Sequence, residues 1–327
     1  MPQPNTKGLI VTGPLQNVSL AYRNKSYIGD RVFPMLENVS PKAKIAKYNK
    51  GAWFRDEAGI RGPGARAKRG GYPISFVSLS TKEYAFAKEV TDEDRRFTKV
   101  QGAPPLQPDQ DAVEFCTDKI DLKKERLIAT NILAQTWADG NPGGEDAAGL
   151  WAAGSSNTFL ADIRNGAKTI QAASGVLPNV LVIDFGTYNS LKEEATVLDK
   201  IKYTERGVLT TSLLAALLDL DEVLIGSAIY STAKELKTGL DFTSAAIWEK
   251  NAGKGMGFLF YRPQRPGLKI PSAGYQARVA YDNGQPRRIM SWREEAEHQD
   301  VYEVAEETDI VVTGTDLGYL WIDTLLT

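Results

Sequence analysis

The chain has 327 residues, 42% of them apolar, with 39 Lys and Arg against 41 Asp and Glu and a formal net charge of -2. That length buries one large core or two medium ones, and the near-neutral balance argues against gripping DNA phosphates as the main task. One cysteine and one histidine exclude an internal disulfide framework and a Cys- or His-rich metal cluster within the chain.

No run approaches the ~20 apolar residues of a membrane-spanning helix, and Met1-Pro2-Gln3-Pro4 does not open a signal peptide. The expected setting is soluble and reducing, with no membrane partner, so the sequons Asn17-Val-Ser19 and Asn38-Val-Ser40 read as coincidences. Residues 1–41 form an arm and not a domain: Pro, Gly, Asn and Ser recur, and Leu9, Ile10, Val11, Leu15, Val18 and Leu20 are too few for a core. The stretch Tyr27-Ile28-Gly29-Asp30-Arg31-Val32-Phe33-Pro34 then supplies a compact anchor.

Residues 42–90 predict a long two-stranded excursion. Lys44 to Tyr48 and Trp53-Phe54 lead out, Arg61 to Gly71 is a glycine-rich basic tip, and Tyr72 to Glu89 returns with strand-like alternation. The tip carries Arg61, Arg66, Lys68 and Arg69 but lacks the pattern of a phosphate-cradling loop. An isolated hairpin of this length is unstable in water, so it must pack on a partner.

From Pro108 to Ala138 runs an uninterrupted helical pattern of about 30 residues, or ~45 Å. Pro108 opens it, Asp109, Asp111 and Glu114 favour its N-terminus, and Asp139-Gly140 with Pro142 closes it. Val113, Cys116, Ile120 and Leu127 mark one apolar stripe, Phe115, Leu122, Ala129, Leu133 and Trp137 another, and Lys119, Lys123, Lys124 and Arg126 cover the remainder. This spine organises the chain.

Beyond it, Thr158 to Ser174 predicts a helix interrupted by Gly166, Gly175 to Ile183 a buried strand, Thr187 to Leu198 a helix, and Glu222 to Ile225 a strand. The rhythm over 176–262 predicts a compact α/β module. Gly253-Lys-Gly-Met-Gly257 precedes a strand instead of following one, so it reads as a tight turn and not a dinucleotide fingerprint. The C-terminal part predicts strands at 275–281, 287–292, 301–305, 310–312 and 319–322, with a turn at Asp282-Asn-Gly284. Its acids (Glu294, Glu295, Glu297, Asp300, Glu303, Glu306, Glu307, Asp309) read as a solvated face, because calcium-loop spacing is absent.

No active-site signature emerges. His298 stands in a charged run without a nucleophile elbow, and Walker, zinc-protease and kinase patterns are missing. The residues themselves predict no catalytic, metal or cofactor site, and two parts, arm and hairpin, make sense mainly in an assembly.

Three features resemble the major capsid proteins of tailed bacteriophages with the Hong Kong 97-like fold. Leu20 to Leu36 resembles the arm of one large subgroup, with its Tyr-Ile-x-x-x-Val/Leu-Phe-Pro stretch. Gly71 to Asp94 resembles the return strand of the extended loop and the entry into the spine, and the order of elements resembles the whole fold. The resemblance implies an α+β fold with an N-arm (1–41), an extended loop (42–90), a peripheral domain with its spine helix (91–175, helix 108–138), an axial domain (176–274) and return strands of the peripheral domain (275–327). It implies a non-enzymatic shell protein that assembles with itself into hexamers and pentamers, in the host cytoplasm and then the virion capsid. The implied partners are a separate scaffolding protein, a portal, a decoration protein and packaged double-stranded DNA enclosed without sequence-specific binding. Inter-subunit contacts are expected at Tyr27, Arg31, Phe33, Trp53, Phe54, Arg61, Arg66 and Arg69. Some members cross-link Lys to Asn; Lys50 and Lys68 lie in the loop, but neither the acceptor Asn nor the promoting Glu is matched. An encapsulin-type nanocompartment is the alternative within the fold, and a soluble α/β enzyme, resting only on 176–262, is the alternative outside it.

Overall fold

The computed structural model describes residues 23–24, 26–99, 106–154, 156–201, 209–234, 242–281 and 284–325. The arm before Arg23, part of the 226–240 connection and the Asp282-Asn283 half of the expected turn lie outside them.

The described chain begins with a short helix, α1 (Gly29–Val32), and a two-residue strand, β1 (Met35–Leu36). The hairpin follows as β2 (Lys42–Tyr48), α2 (Lys50–Trp53) and β3 (Ile74–Ser80), then β4 (Lys82–Thr91), α3 (Asp92–Thr98) and the spine α4 (Pro108–Ala134). Next come β5 (Glu145–Asp146), α5 (Phe159–Ser174), β6 (Val180–Asp184), α6 (Phe185–Glu193), α7 (Ala195–Ile201), α8 (Thr211–Leu218) and β7 (Glu222–Gly226). Strands β8 (Ile229–Ser231), β9 (Ser244–Ala246), β10 (Met256–Phe260), β11 (Gly274–Arg278), β12 (Arg288–Glu294), β13 (Gln299–Val312) and β14 (Gly318–Ile322) complete the described fold.

The spine is shorter than its sequence pattern. Pro108 and the acids Asp109 and Asp111 start it as expected, but the backbone turns extended at Gln135. Trp137, expected on the helix, instead folds back, donates Nε1 to Ile132 O at 2.9 Å and packs its ring 4.7 Å from Phe258. Burying that indole offers more than a last turn of helix. The buried stripe contains Cys116, Ile120, Ile128 and Ile132, and in phase with them Glu125 and also Lys124, which the sequence pattern placed among the covering cations. Phe115, expected on an apolar stripe, is exposed.

Two sheets flank this spine. In the first, β13 is central: β4 runs along one side, while β12 and β11 line the other in tandem and β1 extends it. The sequence predicts two short strands here, yet β13 runs unbroken through Glu306-Glu307-Thr308-Asp309, because these polar residues have partners. Glu306 meets Arg287 at 2.7 Å, Thr308 donates to Ala277 O at 3.0 Å, and Asp309 accepts Ser80 N at 2.9 Å. The expected solvated acidic face is therefore partly internal: Glu306 is 1% exposed. The single return strand predicted for 72–89 also divides, at Thr81, where β3 leaves β2 and β4 joins β13.

The second sheet has the order β5-β14-β10-β6-β7, with β6 and β7 parallel. Tyr319–Ile322, expected among the return strands of the peripheral domain, pairs here with β10. All five residues of β6 are buried, as its unbroken apolar run predicts. One face packs on the C-terminal half of α4 with Phe33, Trp248 and Phe258, the other on α5 to α8 with Trp151 and Phe159. Helix α5 is continuous through Gly166, where a Cβ would stand 2.5 Å from the Trp321 ring; the glycine permits close approach.

Gly253-Lys-Gly-Met-Gly257 is a turn into β10, with positive φ at Gly253 (77°) and Gly255 (68°). At Gly257 an added Cβ would lie 2.5 Å from the buried Trp151 ring. Gly257→Ala is therefore expected to cost about 1–3 kcal/mol by overpacking, read as a lower urea midpoint; an unchanged midpoint would show that the ring moves freely.

Candidate assembly interface

Two groups of residues were expected at subunit contacts, and the structure treats them differently. The segment 23–34 is fastened to its own body. Asn24 exchanges hydrogen bonds with Ile229 N (3.1 Å) and O (2.9 Å), and Gln276 Nε2 donates to Gly29 O (2.7 Å) and Phe33 O (3.1 Å). The Glu125 carboxylate accepts Ile28 N (3.1 Å), Gly29 N (2.6 Å) and Trp248 Nε1 (2.7 Å). Burial raises the pKa of Glu125 above its ordinary value, opposed by those three donors. Phe33 is fully buried, edge-on to Phe260 at 5.8 Å, so as a contact it is corrected: its surface is spent inside its own subunit. Arg31 pairs with Glu222 while its side chain stays 60% exposed, and Tyr27 is half-buried against the core.

The hairpin is the opposite case. Its base holds to the body: Lys50 Nζ reaches Ala173 O (2.5 Å) and Asp316 (2.8 Å), and Lys269 lies 5.6 Å from the rings of both Tyr48 and Trp53. Tyr48, Trp53 and Tyr72 form a ring cluster with centroids 5.7–6.1 Å apart. Even so, Trp53 (54%), Phe54 (68%), Ile60 and Phe76 (61%) remain exposed. Further out, Arg61, Arg66, Lys68 and Arg69 have no carboxylate within 4.0 Å among the described residues, and a Cβ at Gly62 or Gly64 would meet nothing within 4 Å. This distal loop presents apolar and cationic groups to open space, a surface in want of a partner.

Sequence reasoning missed the groups that lock the arm base, Lys124 and Glu125. The signal was their phase: 116, 120, 124 and 128 step by one helical turn, and 125, 128 and 132 share a face.

No family model matches the chain. It is 28% identical over 324 residues, 95% of both chains, to a protein named major capsid protein from Burkholderia phage BcepMu. A crystal structure of a phage-related protein from Bordetella bronchiseptica superposes with a TM-score of 0.66 at 22% identity, covering 94% of each chain. The capsid of the cyanophage P-SCSP1u gives 0.61 at 13% identity (96% of this chain, 93% of that one), and the mature capsid of bacteriophage PhiM1 gives 0.59 at 11% (98% and 92%). The fold is that of a viral shell subunit. It is the Hong Kong 97-like capsid fold.

Proposed function

We propose that this chain is the major capsid protein of a tailed bacteriophage, a shell-forming subunit of the virion capsid. The end-to-end likeness to a protein of that name carries the reading; the enzyme and nanocompartment alternatives have no comparable support. In the finer reading, hexamers and pentamers close the shell around double-stranded DNA, with a separate scaffolding protein, a portal and a decoration protein, and assembly in the host cytoplasm. The unsatisfied hairpin supports contacts in trans through Trp53, Phe54, Arg61, Arg66 and Arg69, because many weak repeated contacts sum to a stable assembly. The domain division in which the hairpin is an extended loop and α4 a spine belongs to the same proposal.

Negative-stain electron microscopy of the purified chain, alone and after deletion of 58–71, tests it. Closed shells or rings of five or six from the intact chain are expected. The deletion is expected to leave the circular dichroism spectrum unchanged while shells are lost. Normal shells from the deletion would remove the loop from the interface, and a discrete small oligomer without curvature from the intact chain would remove the capsid reading.

A further inference from the structure

The first sheet ends in an open edge. β4 pairs with β13 along ten residues, and on its other side no strand pairs with it among the described residues. A bare edge of that length presents unpaired main-chain donors and acceptors, which folded proteins ordinarily cover or break up.

Beside this edge lies a groove of about 440 Å³ between β4 and α4. Its floor is apolar, with Tyr84, Phe86 and Leu122, and its wall is a row of cations, Lys119, Lys123 and Arg126. These three differ from the neighbouring cations. Lys124 and Arg287 are held by carboxylates. Lys119, Lys123 and Arg126 are exposed, have no carboxylate within 4.0 Å among the described residues, and rest only on the rings of Phe115 (5.0 Å), Tyr84 (5.7 Å) and Tyr230 (4.1 Å). Glu83, at the end of the groove, is occupied by Arg288 at 2.8 Å.

We infer that the β4 edge and its cationic groove form a docking site for an extended acidic segment of a second polypeptide, which adds to the sheet as a strand. The geometry matches that chemistry. Side chains on one face of a strand recur every ~6.7 Å, and Lys119 to Arg126 spans about 10 Å along the helix, so alternate acidic side chains meet the cations in turn. Main-chain hydrogen bonds to the edge supply affinity, and the charge row supplies selectivity. A nucleic-acid strand meets the cations equally well but leaves the ladder groups of β4 unpaired. The acidic stretch Val301–Glu307 of this chain is already spent inside the sheet as part of β13, paired with β4 and β12.

Fluorescence anisotropy with a labelled decapeptide alternating Glu and Val, on the purified full chain at low salt, tests the inference. Saturable binding is expected, weakened about tenfold or more in the triple variant Lys119→Glu, Lys123→Glu, Arg126→Glu, since close charge pairs carry coupling of that size. The triple Gln variant gives the same answer with less disturbance if the Glu version folds poorly. A Glu-Val peptide N-methylated at every residue, which lacks the amides needed for a ladder, is expected to lose binding. Absence of saturable binding by the Glu-Val peptide, equal binding of the N-methylated peptide, or tighter binding of a short DNA duplex through the same three cations would each overturn the site. The readout does not depend on shell formation, so its failure and that of the capsid reading are separate results.

Discussion

Replacing Glu125 by Ala is expected to lower the unfolding free energy by about 3–5 kcal/mol and to loosen the arm base. The carboxylate is 2% exposed and accepts two arm amides, Ile28 N and Gly29 N, and the Trp248 indole. Removing it orphans three buried donors, each costing ~1–3 kcal/mol, with partial relaxation holding the total near the lower end of the sum. Urea denaturation measures the loss, and limited trypsin digestion at Arg23 and Arg31 reports detachment. The pH dependence has a definite sign. Burial raises the folded pKa above the 4.5 of a free Glu, so the folded state binds the proton more tightly than the unfolded state. This contribution to stability is fully present below 4.5 and is lost as pH rises through the folded pKa. Glu125→Gln is expected to remove that component of the slope; an unchanged profile would place the titration elsewhere.

A comparable loss is expected from Glu306→Ala. Glu306 lies 1% exposed between Arg287 Nε at 2.7 Å and Lys124 Nζ at 3.3 Å; Asp121 pairs with the other end of Arg287 and Asp30 with Lys124. Deleting the central anion leaves Lys124, 6% exposed, with one partner where it had two. Breaking a buried pair from one side costs about 3–5 kcal/mol. The paired replacement Glu306→Leu with Lys124→Met, which removes both charges and keeps the volume, is expected to recover most of that loss. A double-mutant cycle by chemical denaturation decides the matter: additive losses would mean that the two side chains do not interact in solution.

Much of the architecture was legible because its signals are local. The run at 180–183 gave β6, the periodicity at 159–174 gave α5, and the basic glycine-rich stretch gave an exposed loop. What escaped depends on tertiary partners. Trp137 leaves the spine because Phe258 and Ile132 O receive it, which no helical periodicity encodes. The polar run Glu306 to Asp309 stays in β13 because Arg287, Ala277 and Ser80 meet it from distant parts of the chain. Phe33 has the composition of an exposed anchor, and only the arrival of Phe260 makes it core. At the interface the exposed loop cations were anticipated, while the inward turn of the 27–33 segment was not, since Glu125 sits in a run of charges that resembles surface.

The hairpin is not tied to the body along its length. Its base is held twice: β2 and β3 pack Ala43, Ile45, Val77 and Leu79 on Ala277 and Val311, and further out Lys50 spans Ala173 at the end of α5 and Asp316 just before β14, where Phe54 lies against Gly175. Residues 55–73 lie beyond that grip, about nine out and nine back, a reach of roughly 30 Å. This is a lever whose outermost support is the end of α5 and Asp316. A load placed on the tip is transmitted first to Asp316 and the end of α5, where Lys50 is held. A load on the loop is thereby passed to the end of α5, far from where it was applied.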